Sequence, residues 1–313
     1  VVAEATFSEN TLCEMGSGMM NYTGSRLFRW QMLLQLIFIL LVPVLLQFPV
    51  LQGVLSLLGL VFLGIPHGGN DFFYRKEKNT AGSVRFLVMY MGVMLLYLCL
   101  WYVWPGLSLL VFLLISIHHF GQSNFNSHRI VSLDSLLWGG WLVVFPVLRH
   151  SAEVFGIFAD MLGGQALSVS VGGTLDAWGL ALVSVGFGLV YGLVLFGKHR
   201  QGWFYYLMQW VLVTVWYWIT PLLLGFVVVF CFWHALQSMQ YQLDYVSETY
   251  KQNRRKTLMG FVPFGLMALV GMAFLLRFDL ASNLGFAFVL LSLVTLPHVV
   301  VMDGLYRGHH KDE

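Results

Sequence analysis

Leu222 to Leu243 reads LLLGFVVVFCFWHALQSMQYQL, 22 residues with no Asp, Glu, Lys or Arg and with one imidazole, His234, near the middle. Coiled as an α-helix the stretch is about 33 Å long at 1.5 Å per residue, enough to cross the hydrocarbon of a bilayer. A histidine held at that depth is costly and is by default a functional residue. Both features, the uncharged run and the embedded imidazole, recur along the chain.

Ten such runs are expected: Leu27 to Phe48, Gln52 to Tyr74, Phe86 to Trp104, Gly106 to Asn124, Ile130 to Leu148, Thr174 to Gly197, Trp203 to Ile219, Leu222 to Leu243, Leu258 to Leu276 and Ser282 to Tyr306. With an even number of spans both termini share one side, and every loop alternates between sides. Fifteen of the seventeen Arg and Lys residues then fall on the side of the termini, and only Arg149 and Arg277 fall opposite. By the positive-inside rule both ends are cytoplasmic, in the inner membrane of the cell. The fold expected is all-α, a polytopic membrane bundle of about ten helices, with the lipid bilayer as its solvent.

Composition agrees. Only 10% of the residues are charged and 58% are hydrophobic, and the mean hydropathy is +0.75. A water-soluble globule needs roughly a quarter of its residues charged. The net charge of +2 comes without any dense basic block, so nucleic acid is not a partner. Three cysteines, two of them inside apolar runs, build no disulfide framework. Residues 1–25 read as a polar tail, 26–306 as one transmembrane catalytic domain and 307–313 as a second polar tail. Ser151 to Gly173 carries Glu153, Asp160 and five glycines, so it reads as an outer loop with a short interfacial helix or a re-entrant piece.

The ten histidines divide by position. His128, His150, His199, His309 and His310 fall in loops or the tail, whereas His67, His118, His119, His234 and His298 fall inside spans. His67 precedes Arg75 by eight residues, His119 precedes Arg129 by ten, His234 precedes Asp244 by ten and His298 precedes Arg307 by nine. These four imidazoles therefore share one level, about 12 to 15 Å below the cytoplasmic charges, on four spans that run in the same direction. Polar residues follow each about one turn later: Asp71 after His67, Gln122 or Ser123 after His119, Gln237 or Ser238 after His234, and Asp303 after His298. A metal-bound imidazole donates its second ring N–H to such an acceptor.

Neutral imidazole suits Fe, Zn or Cu, and no thiolate or carboxylate stands at that level. Four neutral ligands around a divalent iron leave two octahedral positions open, which suits binding O2 next to an electron-rich lipid. Two other readings compete. A proton-coupled transporter would use Asp71, Asp303 and the intramembrane histidines, with Pro66 and Pro297 breaking its helices. A di-iron desaturase or hydroxylase would need about twice as many histidines, in close pairs. No nucleotide signature is present.

Ile65-Pro66-His67-Gly68-Gly69-Asn70-Asp71, His118-His119-Phe120-Gly121-Gln122, Trp233-His234 and Leu296-Pro297-His298 together resemble the bacteriorhodopsin-related-protein (Brp/Blh) family of β-carotene 15,15′-dioxygenases. The resemblance spans about Leu27 to Tyr306. It implies a non-haem Fe(II) enzyme that cleaves β-carotene at its central double bond with O2 to give two retinal molecules, with a retinal-binding rhodopsin as acceptor of the product. Carried onto this chain, it makes His67, His119, His234 and His298 the metal ligands and catalytic set, with His118 as the alternative to His298. Asp71, Gln122, Ser238 and Asp303 would support them. Asn124 stands where relatives often carry an acid, and Ser238 where some carry another histidine. Phe72, Phe120, Trp233 and Tyr241, near the histidine level, would contact the polyene, which enters sideways from the bilayer because passage through water would expose its whole apolar surface.

Overall fold

The structure, a computed structural model, describes residues 26–74, 79–125, 127, 129, 131–164, 175–249, 253, 255, 259, 262, 263, 266, 270 and 284–308. The described residues are helical, with no strand among them. In chain order the helices are α1 (Arg26–Leu45), α2 (Pro49–Phe72), α3 (Thr80–Val103), α4 (Pro105–Phe125), α5 (Leu133–Arg149), α6 (Ser151–Met161), α7 (Ala177–Lys198), α8 (Trp203–Ile219), α9 (Leu222–Tyr245) and α10 (Leu284–Gly308). Only this architecture satisfies the backbone without water, because each N–H finds its carbonyl within the same segment.

All but α6 match nine of the expected spans. The remaining one, Leu258 to Leu276, lies outside the described residues apart from isolated positions, as do both tails except Arg307 and Gly308. Among the described residues seven helices are long and apolar enough to cross a membrane, or eight if the pair α5 and α6, bent by 104°, is one span. The 17 residues each of α5 and α8 fall just under that length. Helix α6 is the short helix expected after Ser151. It packs onto the bundle, with Met161 and Leu162 buried in one cluster with Leu293 and Leu109.

Large apolar side chains face outward. Leu40 is 77% exposed, and Leu96, Leu182 and Leu193 are each 73% exposed. In water a belt of this kind would aggregate; in lipid it is the solvated surface. The packed interior lies elsewhere, where Trp138, Trp141, Trp210, Trp216 and Trp233 interlock between α1, α5, α7, α8 and α9.

Two helices are not regular. The first turns of α2 pass into a π-helical segment, Leu60–Gly64, then an α-turn, Ile65–Gly69, and a 3-10 turn, Asn70–Tyr74. Pro66 explains the widening: it has no N–H to donate and its ring would clash with the carbonyl four residues earlier, so the preceding turn opens. Helix α9 has a π segment, Val229–Ala235, that contains His234 and has no proline. Such turns are frequent at functional sites.

The closest approach in the bundle is between α4 and α5, where glycines replace side chains. A Cβ at Gly121 would lie 1.9 Å from the Ser135 carbonyl oxygen, and one at Gly139 would lie 1.8 Å from that of Ile117. This small-residue crossing sets the position of α4, which carries His119. Gly121→Ala or Gly139→Ala is expected to destabilise the protein by roughly 1–3 kcal/mol or more, as overpacking does. Gly140, with nothing within 4 Å of its notional Cβ, should accept alanine. Thermal unfolding in detergent checks the contrast.

Candidate metal centre

Helices α2, α4, α9 and α10 converge, and each brings one imidazole to the junction. His67, His119, His234 and His298 are between 2% and 5% exposed. Their ring centroids are 4.6 Å apart for His119 and His234, 4.9 Å for His119 and His298, 5.0 Å for His67 and His298, and 5.2 Å for His67 and His234. Nitrogens of His67, His119 and His234 lie within 4.8 Å of one another, a spacing that can hold one metal ion. His298 completes the ring through its contacts with His67 and His119. His118, about 100° further round α4 by helix geometry, is half-buried and outside these ring contacts.

The outer nitrogens fix the tautomers. His67 Nδ1 faces the Gly64 carbonyl and must donate to it. His298 Nδ1 donates to Asp71 Oδ1 at 2.8 Å. His234 Nδ1 meets Ser123 Oγ at 2.9 Å, while the single hydroxyl proton of Ser123 goes to the Phe120 carbonyl at 3.2 Å. The serine oxygen is then left to accept from His234. With Nδ1 protonated in all three, each Nε2 keeps its lone pair. Nε2 of His234, Nε2 of His298 and both nitrogens of His119 are buried without a hydrogen-bond partner. Orphaned lone pairs in a dry interior are expensive unless they are ligands, so this donor set fits a metal ion.

Two of the three supporting contacts run between helices, not along them as the sequence spacing suggests. Asp71, expected behind His67, instead accepts from His298 on α10 and from Tyr90 Oη on α3 at 3.1 Å. Ser123 serves His234 on α9, not His119 on its own helix. Gln122 Nε2 donates to Asp303 Oδ1 at 3.1 Å, so these two pair with each other and neither meets the expected histidine. Ser238 is buried, but the Nδ1 of His234 is already taken. Asn124, at the position where an acid was looked for, accepts from Gln209 Nε2 at 2.8 Å, a neutral tie between α4 and α8.

Of the four aromatics expected beside the polyene, only Phe120 joins the centre, 4.7 Å from the His234 ring. Trp233 points the other way, donating from Nε1 to Gln35 Oε1 at 3.1 Å and packing edge-on to Phe28. Phe72 lies at the outer surface against Phe86. Tyr241 lies tilted against Tyr306 at 4.7 Å, further along α9 and α10 than the histidines. Phe230 was missed: it lies 5.3 Å from His67 and 5.7 Å from His234. Its place four residues before His234 on one helix was the available signal. Gln242, also missed, donates to the His67 carbonyl at 3.0 Å.

The loop histidines do other work. His199 and Lys198 both reach Asp134 at 2.7 Å, clasping α7 to α5, and His150 Nε2 lies 3.3 Å from the Tyr217 carbonyl. His128, His309 and His310 lie outside the described residues.

Fold and site together define a polytopic membrane protein with an all-histidine centre buried where four helices meet. The chain belongs to the β-carotene 15,15′-dioxygenase family, whose model matches residues 58–306, and it is an enzyme of the carotenoid dioxygenase class. It is 27% identical over 273 residues to the β-carotene 15,15′-dioxygenase of an uncultured marine bacterium, 66A03, a match that covers 80% of this chain and 92% of that one. No solved structure matches it. The resemblance drawn from the four histidine motifs is thereby borne out at the level of the family.

Asp71→Asn keeps an oxygen acceptor for His298 but removes the charge. It is expected to weaken metal binding by about 10- to 100-fold, the usual cost of losing such a supporting contact. Tyr90→Phe should have a smaller effect in the same direction. Titration of the metal-stripped protein with Co2+, followed by its absorption spectrum, checks both.

Proposed function

We propose that the protein is a non-haem Fe(II) dioxygenase of the inner membrane that cleaves β-carotene at the central 15,15′ double bond with O2, giving two molecules of retinal. The observation that carries this reading is the convergence of four imidazoles from four helices, three of which, His119, His234 and His298, keep buried ring nitrogens without a hydrogen-bond partner. Family membership supplies the substrate and the bond.

His67, His119, His234 and His298 would hold the iron, and Asp71, Ser123 and the Gly64 carbonyl would hold three of the rings in the ligating tautomer. Bound there, ferrous iron supplies the activation of O2. The reaction balances without an outside reductant: one carbon–carbon double bond breaks, two carbonyl bonds form, and both oxygen atoms leave in the two aldehydes. Phe120 and Phe230 wall the centre with apolar rings and keep bulk water from the reacting carbons. Four neutral ligands leave the charge of the ion uncompensated, which favours binding of an electron-rich polyene beside it.

The substrate dissolves in the bilayer, and transfer from lipid into an apolar site is nearly neutral, whereas extraction into water would cost about 25 cal/mol per Å2 of exposed apolar area. Entry is therefore sideways, between helices. Retinal, equally apolar, leaves into the same lipid, where a retinal-binding rhodopsin can collect it.

Purified protein should contain about one iron per chain, the stoichiometry of a single tetra-histidine site. It should form retinal from β-carotene in detergent without a nicotinamide or ferredoxin. Alanine at any one of the four histidines should abolish activity and lower iron content, while alanine at His150 should do neither. Two irons per chain, or a strict need for an external reductant, would count against the reading.

A further inference from the structure

The histidine centre has unlike surroundings above and below. On the cytoplasmic side lie polar side chains, Gln122, Asp303, Gln237, Ser238 and Gln242. On the opposite side a row of phenylalanine rings leads away from the histidines. Phe230 begins it, edge-on to His67 at 5.3 Å and stacked on His234 at 5.7 Å. Phe226, one turn earlier on α9, lies parallel to Phe230 at 5.6 Å with 8° between the ring planes. Phe288 of α10 closes on Phe226 at 5.5 Å.

Chain direction fixes where this row points. Phe226 precedes His234 by eight residues and Phe288 precedes His298 by ten, so the far end lies about 12 to 15 Å from the histidine level, toward the outer leaflet. Burial falls along the way. Phe230 is 8% exposed, whereas Phe226 and Phe288 are only half-buried. A row buried at the histidines and half-buried at its outer end, where Phe226 and Phe288 close on each other, has the form of an approach that ends in a stop. The facing surface of α2 is kept low by glycine: a Cβ at Gly64 would come 3.0 Å from Phe230 Cε1, and one at Gly59 would come 3.4 Å from Cys231 Sγ.

We infer that Phe230, Phe226 and Phe288 form the subsite for one half of the polyene and thereby set which double bond lies beside the histidines. The inference rests on the carotenoid-cleaving reading above and deepens it. A conjugated hydrocarbon has no hydrogen-bonding group, so its register along a site is fixed by shape and by where its ring-capped end stops. Flat parallel rings match a planar conjugated chain face to face. Phe226 and Phe288, at the outer end, meet the terminal ring and act as the stop; Phe230 holds the chain next to His67.

The test uses full-length enzyme in detergent, with two substitutions of opposite sense. Phe226→Ala opens the outer end, so the chain can slide: off-centre apocarotenals should appear beside retinal, and KM for β-carotene should rise about three- to tenfold, the equivalent of losing one aromatic contact. Phe226→Trp fills it, so β-carotene turnover should fall while a carotenoid lacking one terminal ring is still cleaved. Iron content and thermal stability should stay at the wild-type value in both, as they should in Phe204→Leu on the lipid-facing surface. Induced circular dichroism of β-carotene bound without O2 reports occupancy independently of turnover, and should weaken in Phe226→Ala. Retinal as sole product with unchanged KM in both Phe226 variants would overturn the inference. So would loss of iron in both, which would assign the row to packing alone. Wild-type protein that binds β-carotene, with the signal weakened by Phe226→Ala, but forms no retinal would instead overturn the cleavage reading and leave the subsite standing.

Discussion

Four imidazoles held within ring contact in a medium that cannot solvate them are the constraint on which the rest of the structure depends. None can be charged there without a neighbour to balance it, and none can leave both nitrogens idle without cost. The bundle answers with a division of labour in three of the four rings: His67, His234 and His298 each spend Nδ1 on a protein acceptor and keep Nε2 free of that bond, while His119 keeps both nitrogens unpartnered. Because two of those acceptors, Asp71 and Ser123, stand on a different helix from the ring they hold, each hydrogen bond also ties two spans together: α2 to α10 and α4 to α9. In lipid, where apolar contact gives little net drive for helix association, such ties and close glycine packing hold the arrangement.

The backbone is bent to meet that demand. A regular helix repeats its faces every 3.6 residues, and four regular helices would not in general turn four rings to one point. The π segments in α2 and α9 shift the register just before His67 and around His234. In α2 the shift follows from Pro66, and it sets the Gly64 carbonyl against the Nδ1 of His67. In α9 no proline compels it, so the wide turn persists through tertiary contacts alone.

Hydrophobic length and charge made the helical membrane fold legible in the sequence, and depth below the charged ends picked out the four histidines that meet. Depth is a one-dimensional quantity, and a helix reports it well. What was not legible is azimuth. The polar residue one turn after each histidine shares its face, yet a ring that aims Nε2 inward presents Nδ1 sideways, to the next helix. Hence Asp71 was read as the partner of His67 and is that of His298. Trp233 failed for a related reason: one residue from His234 is about 100° round the helix, which turns it toward α1. Phe230, four residues away and on the same face, was the better guess by the same arithmetic. Tyr241 keeps the face of His234 but lies two turns further along α9, where it meets Tyr306.

The polar and aromatic surroundings of the centre also bear on why one set of helices can do both jobs. On one side of the histidines the Gln122 amide pairs with the Asp303 carboxylate across α4 and α10, and the Gln242 amide donates to the His67 backbone carbonyl across α9 and α2, which closes the bundle with hydrogen bonds that hydrocarbon could not replace. On the other side α2, α9 and α10 carry rings and glycines, and there Phe226 and Phe288 stay half-buried. On the proposed route a polyene arriving from lipid would pass Phe226 and Phe230, while Asp71 and Ser123, which orient His298 and His234, lie on the other side of the histidines; only the Gly64 carbonyl, which orients His67, stands on the aromatic side. A change of substrate length could thus be met by altering the aromatic row without disturbing the hydrogen bonds that hold His234 and His298.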